Sequence, residues 1–81
     1  MLTIKILGPG CANCKKLEAI AREAVAGLKL DAEIIKVSDF VEIMAYSVLS
    51  TPALVINDKV ICAGRVPSKA EVTNWLTAAC G

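Results

Sequence analysis

The sequence predicts a small α/β domain with elements in the order β-α-β-α-β-β-α, a four-stranded mixed sheet flanked by three helices. Three observations predict it. Short apolar runs of strand length alternate with stretches whose apolar residues recur at helical spacing. Asn57-Asp58 separates two apolar runs by only two residues, the mark of a tight hairpin. Capping-box patterns at 39–42 and 68–71 announce helices after the second and fourth strands.

Each element has its own argument. Residues 2–7 (LTIKIL) form a strand-like run that breaks at Gly8-Pro9-Gly10. From Cys14, apolar residues recur at Leu17, Ile20, Ala21, Ala24, Val25 and Leu28, one face of a helix that ends around Gly27. Residues 30–37 read as a second strand through Ala32, Ile34, Ile35 and Val37. Asp39 caps a short helix with Phe40, Ile43 and Met44 on its apolar side. Residues 53–56 and 59–63 form the hairpin, and proline at its entry, Pro52, suits a strand's first position because it has no N–H to donate. Ser68 to Glu71, preceded by Pro67, opens a last helix with Val72, Trp75, Leu76 and Ala79 on one face. The first β-α-β unit should be parallel with a right-handed crossover, and the hairpin must be antiparallel.

Composition narrows the function classes. The chain has 81 residues, the size of one domain spanning 1–81, and 56% of them are apolar. One Phe, one Tyr and one Trp leave the core to aliphatic side chains, which pack without a disulfide framework. Net charge is +1 and no basic cluster exceeds Lys15-Lys16, which excludes a nucleic-acid surface. With no histidine, the commonest metal ligand and the usual proton shuttle near neutral pH are both missing. The N-terminus reads as a strand rather than a signal peptide, and no apolar run has the length of a membrane span. A cytoplasmic location is the expectation, and there a CxxC is more often catalytic or metal-binding than structural.

The chemistry is concentrated at Cys11-Ala12-Asn13-Cys14, where the first strand gives way to the first helix. Two thiols three residues apart at a helix mouth can close and open a disulfide with little backbone movement. The helix N-terminus favours the reactive thiolate by about 0.3–1 kcal/mol, less than one pKa unit. Cys14 heads the row Cys14, Leu17, Ala21, Ala24, Leu28 that points into the core, while Lys15 follows Cys11 by four residues on the outer face. One sulfur is thus wet and the other shielded, as exchange through a mixed disulfide requires.

The element order, the CxxC at the first strand-to-helix junction and Thr51-Pro52 before the third strand resemble the thioredoxin fold in its minimal, glutaredoxin-sized form. Residues 10–17 (GCANCKKL), 51–56 (TPALVI) and 63–68 (AGRVPS) are similar to the small thioredoxin-like proteins of archaea and bacteria called redox-active disulfide proteins. The resemblance implies a thiol–disulfide oxidoreductase acting as an electron carrier. Cys11 would be the exposed attacking thiol and Cys14 the buried resolving one. Pro52 would be a cis-proline beside the disulfide, Thr51 would offer backbone groups to a substrate chain, and Gly64 would border the same groove. It further implies a monomer with protein disulfides as substrates, a flavin-dependent thioredoxin reductase as electron source and no bound cofactor or metal.

The chain also departs from better-known relatives. Ala-Asn separates the cysteines, where thioredoxins have Gly-Pro and many glutaredoxins Pro-Tyr, and no tryptophan precedes Cys11. Lys5 stands six residues before Cys11, where thioredoxins carry a buried aspartate, with a one-residue loop difference able to shift that comparison. Residues 63–68 lack the Gly-Gly and Asp with which glutaredoxins hold glutathione, which argues against glutathione as the dedicated partner.

The rival reading is a soft-metal module, since thiolates suit Cu(I) and Zn(II) and copper chaperones also place CxxC at a helix start. Pro9 stands where those proteins usually have Met, this chain ends on a capped helix rather than a strand, and Thr51-Pro52 has no role in that scheme. Elsewhere the plainer readings prevail. Cys62 is a small buried apolar residue in the fourth strand, Cys80 a frayed, exposed thiol, and Arg65 a solvated loop charge. Phe40 and Trp75 belong to the core, and Tyr46 is a partly buried helix aromatic.

Overall fold

Four strands form one mixed sheet in the order β2-β1-β3-β4, in a computed structural model that describes residues 2–8, 10, 12–48 and 50–80. β1 (Leu2–Leu7) and β3 (Ala53–Ile56) are the central strands, and β3 is buried along its whole length. β2 (Ala32–Val37) runs parallel to β1, with Ile6 opposite Lys36 and Leu7 opposite Val37. β3 pairs antiparallel with β1 and with β4 (Lys59–Ala63). Three helices complete the expected order: α1 (Ala12–Leu28), α2 (Phe40–Ala45) and α3 (Lys69–Cys80).

The two-residue period of the strands sorts the core into two layers. Leu2, Ile4 and Ile6 of β1 share one face with Leu54 and Ile56, against Leu17, Ala21 and Ala24 of α1 and Val72 and Leu76 of α3. Leu7, Val37, Ala53 and Val55 occupy the other face, beneath Ile43 of α2. Each fully buried Leu or Ile contributes on the order of 1.5–3 kcal/mol, so the layer under α1 and α3 carries most of the apolar burial.

The end of α1 differs slightly from expectation. The helix runs through Gly27 to Leu28, and Lys29, not the glycine, adopts the left-handed conformation with φ 53°. Its N–H donates to the Ala26 carbonyl and that of Leu30 to the Val25 carbonyl, a Schellman closure of the last turn. Leu30 and Asp31 are therefore turn residues and β2 starts at Ala32, two residues later than the apolar pattern places it.

The hairpin turn is of the mirror type whose twist matches its strands, with Asn57 at φ 50° and Asp58 at φ 66°. A bulge follows. Val55 faces Val60, but Leu54 faces Cys62, which leaves Ile61 as the extra residue. In a regular ladder Ile61 would pair with Leu54, and Cys62 would stand opposite Ala53 and face α2. The bulge turns it instead into the layer under α1 and α3, where it is buried as expected.

α2 corrects the sequence reading most clearly. Phe40 is 72% exposed, Val41 77% and Met44 66%. A six-residue helix makes fewer than two turns, and only Ile43 reaches the apolar layer below it. Asp39 caps this helix by accepting from the Val41 N–H at 2.8 Å, one residue earlier than the capping-box pattern implies. Tyr46 follows the helix as its C-cap residue, partly buried, and its hydroxyl accepts from Lys5 Nζ at 2.6 Å. That bond is the main cause holding the Lys5 ammonium above its ordinary pKa.

α3 opens on a reciprocal capping box. The Glu71 N–H donates to Ser68 Oγ and the Ser68 N–H to Glu71 Oε1, both at 3.2 Å. Val72 and Leu76 are buried, Trp75 is only partly so and Ala79 is exposed, so the buried stripe is narrower than its spacing suggests. Cys80, expected to fray, is the last helical residue; its side chain lies outside the described residues.

Candidate functional site

β1 and β2 are parallel, so their C-terminal ends meet at one edge of the sheet, and α1 starts there. This is where ligands bind in open α/β sheets. The chain leaves β1 through Gly8, whose N–H donates to the Val37 carbonyl at 2.9 Å. Gly10 then turns at φ 91°, a conformation that side chains rarely tolerate. Helix α1 begins at Ala12. Cys11 lies outside the described residues.

Cys14 is the first buried residue of α1 and only 6% exposed. Its sulfur rests against Gly8 so closely that a Cβ on Gly8 would overlap Sγ. The same hypothetical Cβ would lie 3.8 Å from Thr51 Cβ, so Gly8 is the small residue on which Cys14 and Thr51 converge. The Thr51-Pro52 bond is cis, as the resemblance implied. Pro52 is buried and Thr51 exposed.

Gly64 joins this group through the backbone. Its N–H donates to the Pro52 carbonyl at 2.9 Å, and its φ of 80° with Ser50 Cβ only 3.0 Å from where a Cβ would sit leaves room for glycine alone. Of the residues singled out in the sequence, the fold therefore brings Cys14, Thr51, Pro52 and Gly64 to one rim. Arg65 departs from expectation. Its guanidinium makes paired bonds to both Glu71 oxygens at 3.2 and 2.8 Å rather than standing free in solvent. That guanidinium is the main reason the Glu71 carboxyl is depressed to about 2.

A cavity of about 200 Å³ opens beside Cys14, with Ile6, Gly8, Lys15, Glu18 and Lys36 in its wall. Glu18, one turn beyond Cys14 on α1, bonds Arg22 NH2 at 2.8 Å and approaches Lys36 Nζ at 3.6 Å. Arg22 foremost, and Lys36 after it, hold the Glu18 carboxyl below its ordinary pKa. Sequence reasoning gave no site role to Gly8, Glu18, Lys36 or Ser50. The spacing of Glu18 from Cys14 was visible in the chain, but the approach of Lys36 depends on strand register.

A family model for the thioredoxin domain matches residues 2–77. The chain belongs to the thioredoxin family. A thioredoxin of Methanothermobacter thermautotrophicus is 40% identical over 77 residues, which cover 95% of this chain and all of that protein. A thioredoxin of Methanocaldococcus jannaschii is 38% identical over 76 residues, 94% of this chain and 87% of that one. Among solved structures, the germline-specific thioredoxin Deadhead of Drosophila melanogaster superposes with a TM-score of 0.67 at 19% identity, over 95% of this chain and 79% of that one. That likeness supports the fold.

Against the thioredoxin pattern, the fold settles which β1 residue faces the buried cysteine. Lys5 turns to the α2 side, toward Tyr46 and Asp58, and Ile6 lines the cavity next to Cys14. The carboxylate in that cavity wall comes from α1, as Glu18, and not from the strand.

Proposed function

We propose that this thioredoxin-family chain is a thiol–disulfide exchange protein that reduces protein disulfides through Cys11 and Cys14. In the first step the Cys11 thiolate attacks one sulfur of a substrate disulfide. A Cys11–substrate disulfide forms, the substrate S–S bond breaks, and the departing thiolate takes up a proton. In the second step Cys14 loses its proton and attacks Cys11 sulfur, forming the Cys11–Cys14 disulfide and releasing the second substrate thiol. Two electrons pass from the dithiol to the substrate.

The observation that carries this reading is the seat of Cys14, buried at the head of α1 against Gly8 and across that glycine from Thr51. A shielded second thiol is what resolution of a mixed disulfide uses. Thr51, Pro52 and Gly64 form the rim on which a substrate chain lies in this reading, with Thr51 exposed for backbone pairing. Two electrons return from a flavin-dependent thioredoxin reductase, and the chain works as a monomeric electron carrier in the cytoplasm. No helix among the described residues is long and apolar enough to cross a membrane.

Insulin reduction in the presence of dithiothreitol tests this directly. Turbidity from precipitating insulin chains should appear far sooner with the protein than without it. A Cys11→Ser or Cys14→Ser chain should lose that acceleration. Equal onset with and without the unaltered chain would overturn the reading.

A further inference from the structure

Lys5 is a charged side chain in the middle of a central strand. Its neighbours across the sheet are Ile35 of β2 and Val55 of β3, both part of the apolar layer under α2. The side chain is only 26% exposed, and an ammonium partly withdrawn from water needs partners. Tyr46 is one, its hydroxyl accepting from Lys5 Nζ at 2.6 Å, and Asp58 is another, with a carboxylate oxygen 3.6 Å from the same nitrogen. The Tyr46 hydroxyl in turn donates to Asp58 Oδ1 at 3.4 Å, and the ammonium lies 5.3 Å from the centre of the tyrosine ring. One phenol thus ties the end of α2 to β1 and to the hairpin turn.

Apolar packing holds α2 weakly. Ile43 is its one buried residue, while Phe40, Val41 and Met44 face solvent. A cavity of about 280 Å³ opens between the helix and the sheet, walled by Lys5, Val37, Glu42, Ala45 and Tyr46. Yet the segment that contains α2 borders the candidate site at both of its ends. Ser38, before the helix, lines the cavity beside Cys14. Thr51 and the cis Pro52, after it, form the rim, where the Pro52 carbonyl accepts from the Gly64 N–H. The N–H groups of Tyr46 and Ser47 donate to the Ile43 and Met44 carbonyls, and Ser47 turns the chain at φ 59°. Tyr46 is therefore the polar anchor at the helix end of this connection, as the Gly64 bond is at the rim end.

We propose that Lys5, Tyr46 and Asp58 form a latch that positions Thr51 and Pro52 for a bound substrate chain. The proposal deepens the exchange reading and rests on it. The three are positioning residues, acting through the backbone of the rim and not on the sulfurs. With the latch closed, the chain leaving α2 delivers Thr51 in one conformation, and a protein substrate pairs with a preformed edge. With the latch broken, binding has to order the rim first, and that ordering weakens it. A small disulfide, too short to pair along Thr51, gains nothing from the latch.

The test compares two disulfides on the same chain. Reduced protein is mixed with excess insulin or excess bis(2-hydroxyethyl) disulfide, and its oxidation is followed by acid quench, alkylation and intact mass. Tyr46→Phe keeps the ring but removes a hydroxyl that both accepts and donates. Its rate on insulin should fall about three- to tenfold relative to its rate on the small disulfide. Lys5→Met should give the same relative fall, and Lys5→Arg, which keeps a cationic donor, should not. The double variant Tyr46→Phe with Lys5→Met should lose no more than either alone, because both break one latch. A rate ratio unchanged in both single variants, or rates lowered equally on both disulfides, overturns the proposal, as does a double variant whose losses multiply. Failure of the exchange reading would show separately, since the unaltered chain would then reduce neither disulfide.

Discussion

Cys14 sulfur occupies the space that a side chain on Gly8 would fill. The contact joins the exit of the central strand to the first turn of α1, and it makes the position of the buried thiol depend on a residue with no side chain at all. Gly8→Ala should push Cys14 off its seat. Forcing one methyl into a packed site costs about 1–3 kcal/mol, so urea unfolding should show that loss. Insulin reduction should fall further than the loss of folded protein explains.

Gly64 makes a second prediction. Its φ of 80° and the nearby Ser50 Cβ leave alanine both strained and crowded. The left-handed conformation alone costs a residue with a Cβ about 1–2 kcal/mol. Gly64→Ala should lower the free energy of urea unfolding by that order and slow insulin reduction, because the bond to the Pro52 carbonyl ties this loop to the rim of the site.

Acid should reveal the tie between Arg65 and the start of α3. The Glu71 carboxyl sits at about 2 in the folded chain against an ordinary 4.5, so the folded state favours its charged form. A depressed carboxyl contributes stability that is complete above the ordinary value and is lost as pH falls toward the folded one. Stability measured by urea unfolding should therefore decline between about pH 5 and pH 2, and Glu71→Gln should flatten that decline. An identical acid slope in both proteins would contradict the role given to Glu71.

Cys62 should prove dispensable. It is 8% exposed within the core layer, and its thiol reaches the Arg65 carbonyl at only 3.9 Å. Cys62→Ala should keep full insulin reduction and lose about 1 kcal/mol of stability, the usual loss for a modest change of this kind.

The elements were legible in the chain because their signals are local. Strand-length apolar runs, the Asn57-Asp58 turn and the Ser68–Glu71 box each act within a few residues, and the fold uses all of them, with β2 two residues shorter than its run. Thr51-Pro52 and Gly64 were legible only through resemblance, yet the bond from Gly64 to Pro52 shows the physical link between them. What the chain concealed lies between elements. Phe40 looks like a core residue by type and spacing, but whether a six-residue helix presents it to the sheet depends on how that helix docks. The facing of Cys62 depends on a one-residue bulge with no sequence marker. Lys5 and Ile6 are neighbours in a strand, so a single step of register decides which one meets Cys14.

The most direct measurement of the central claim is intact-mass analysis after mixing single-cysteine variants with an oxidised protein substrate. Cys14→Ser should accumulate a covalent adduct one substrate chain heavier, linked through Cys11 and released by dithiothreitol, while Cys11→Ser should accumulate none. No adduct from either variant, or an adduct formed only by Cys11→Ser, would contradict the account.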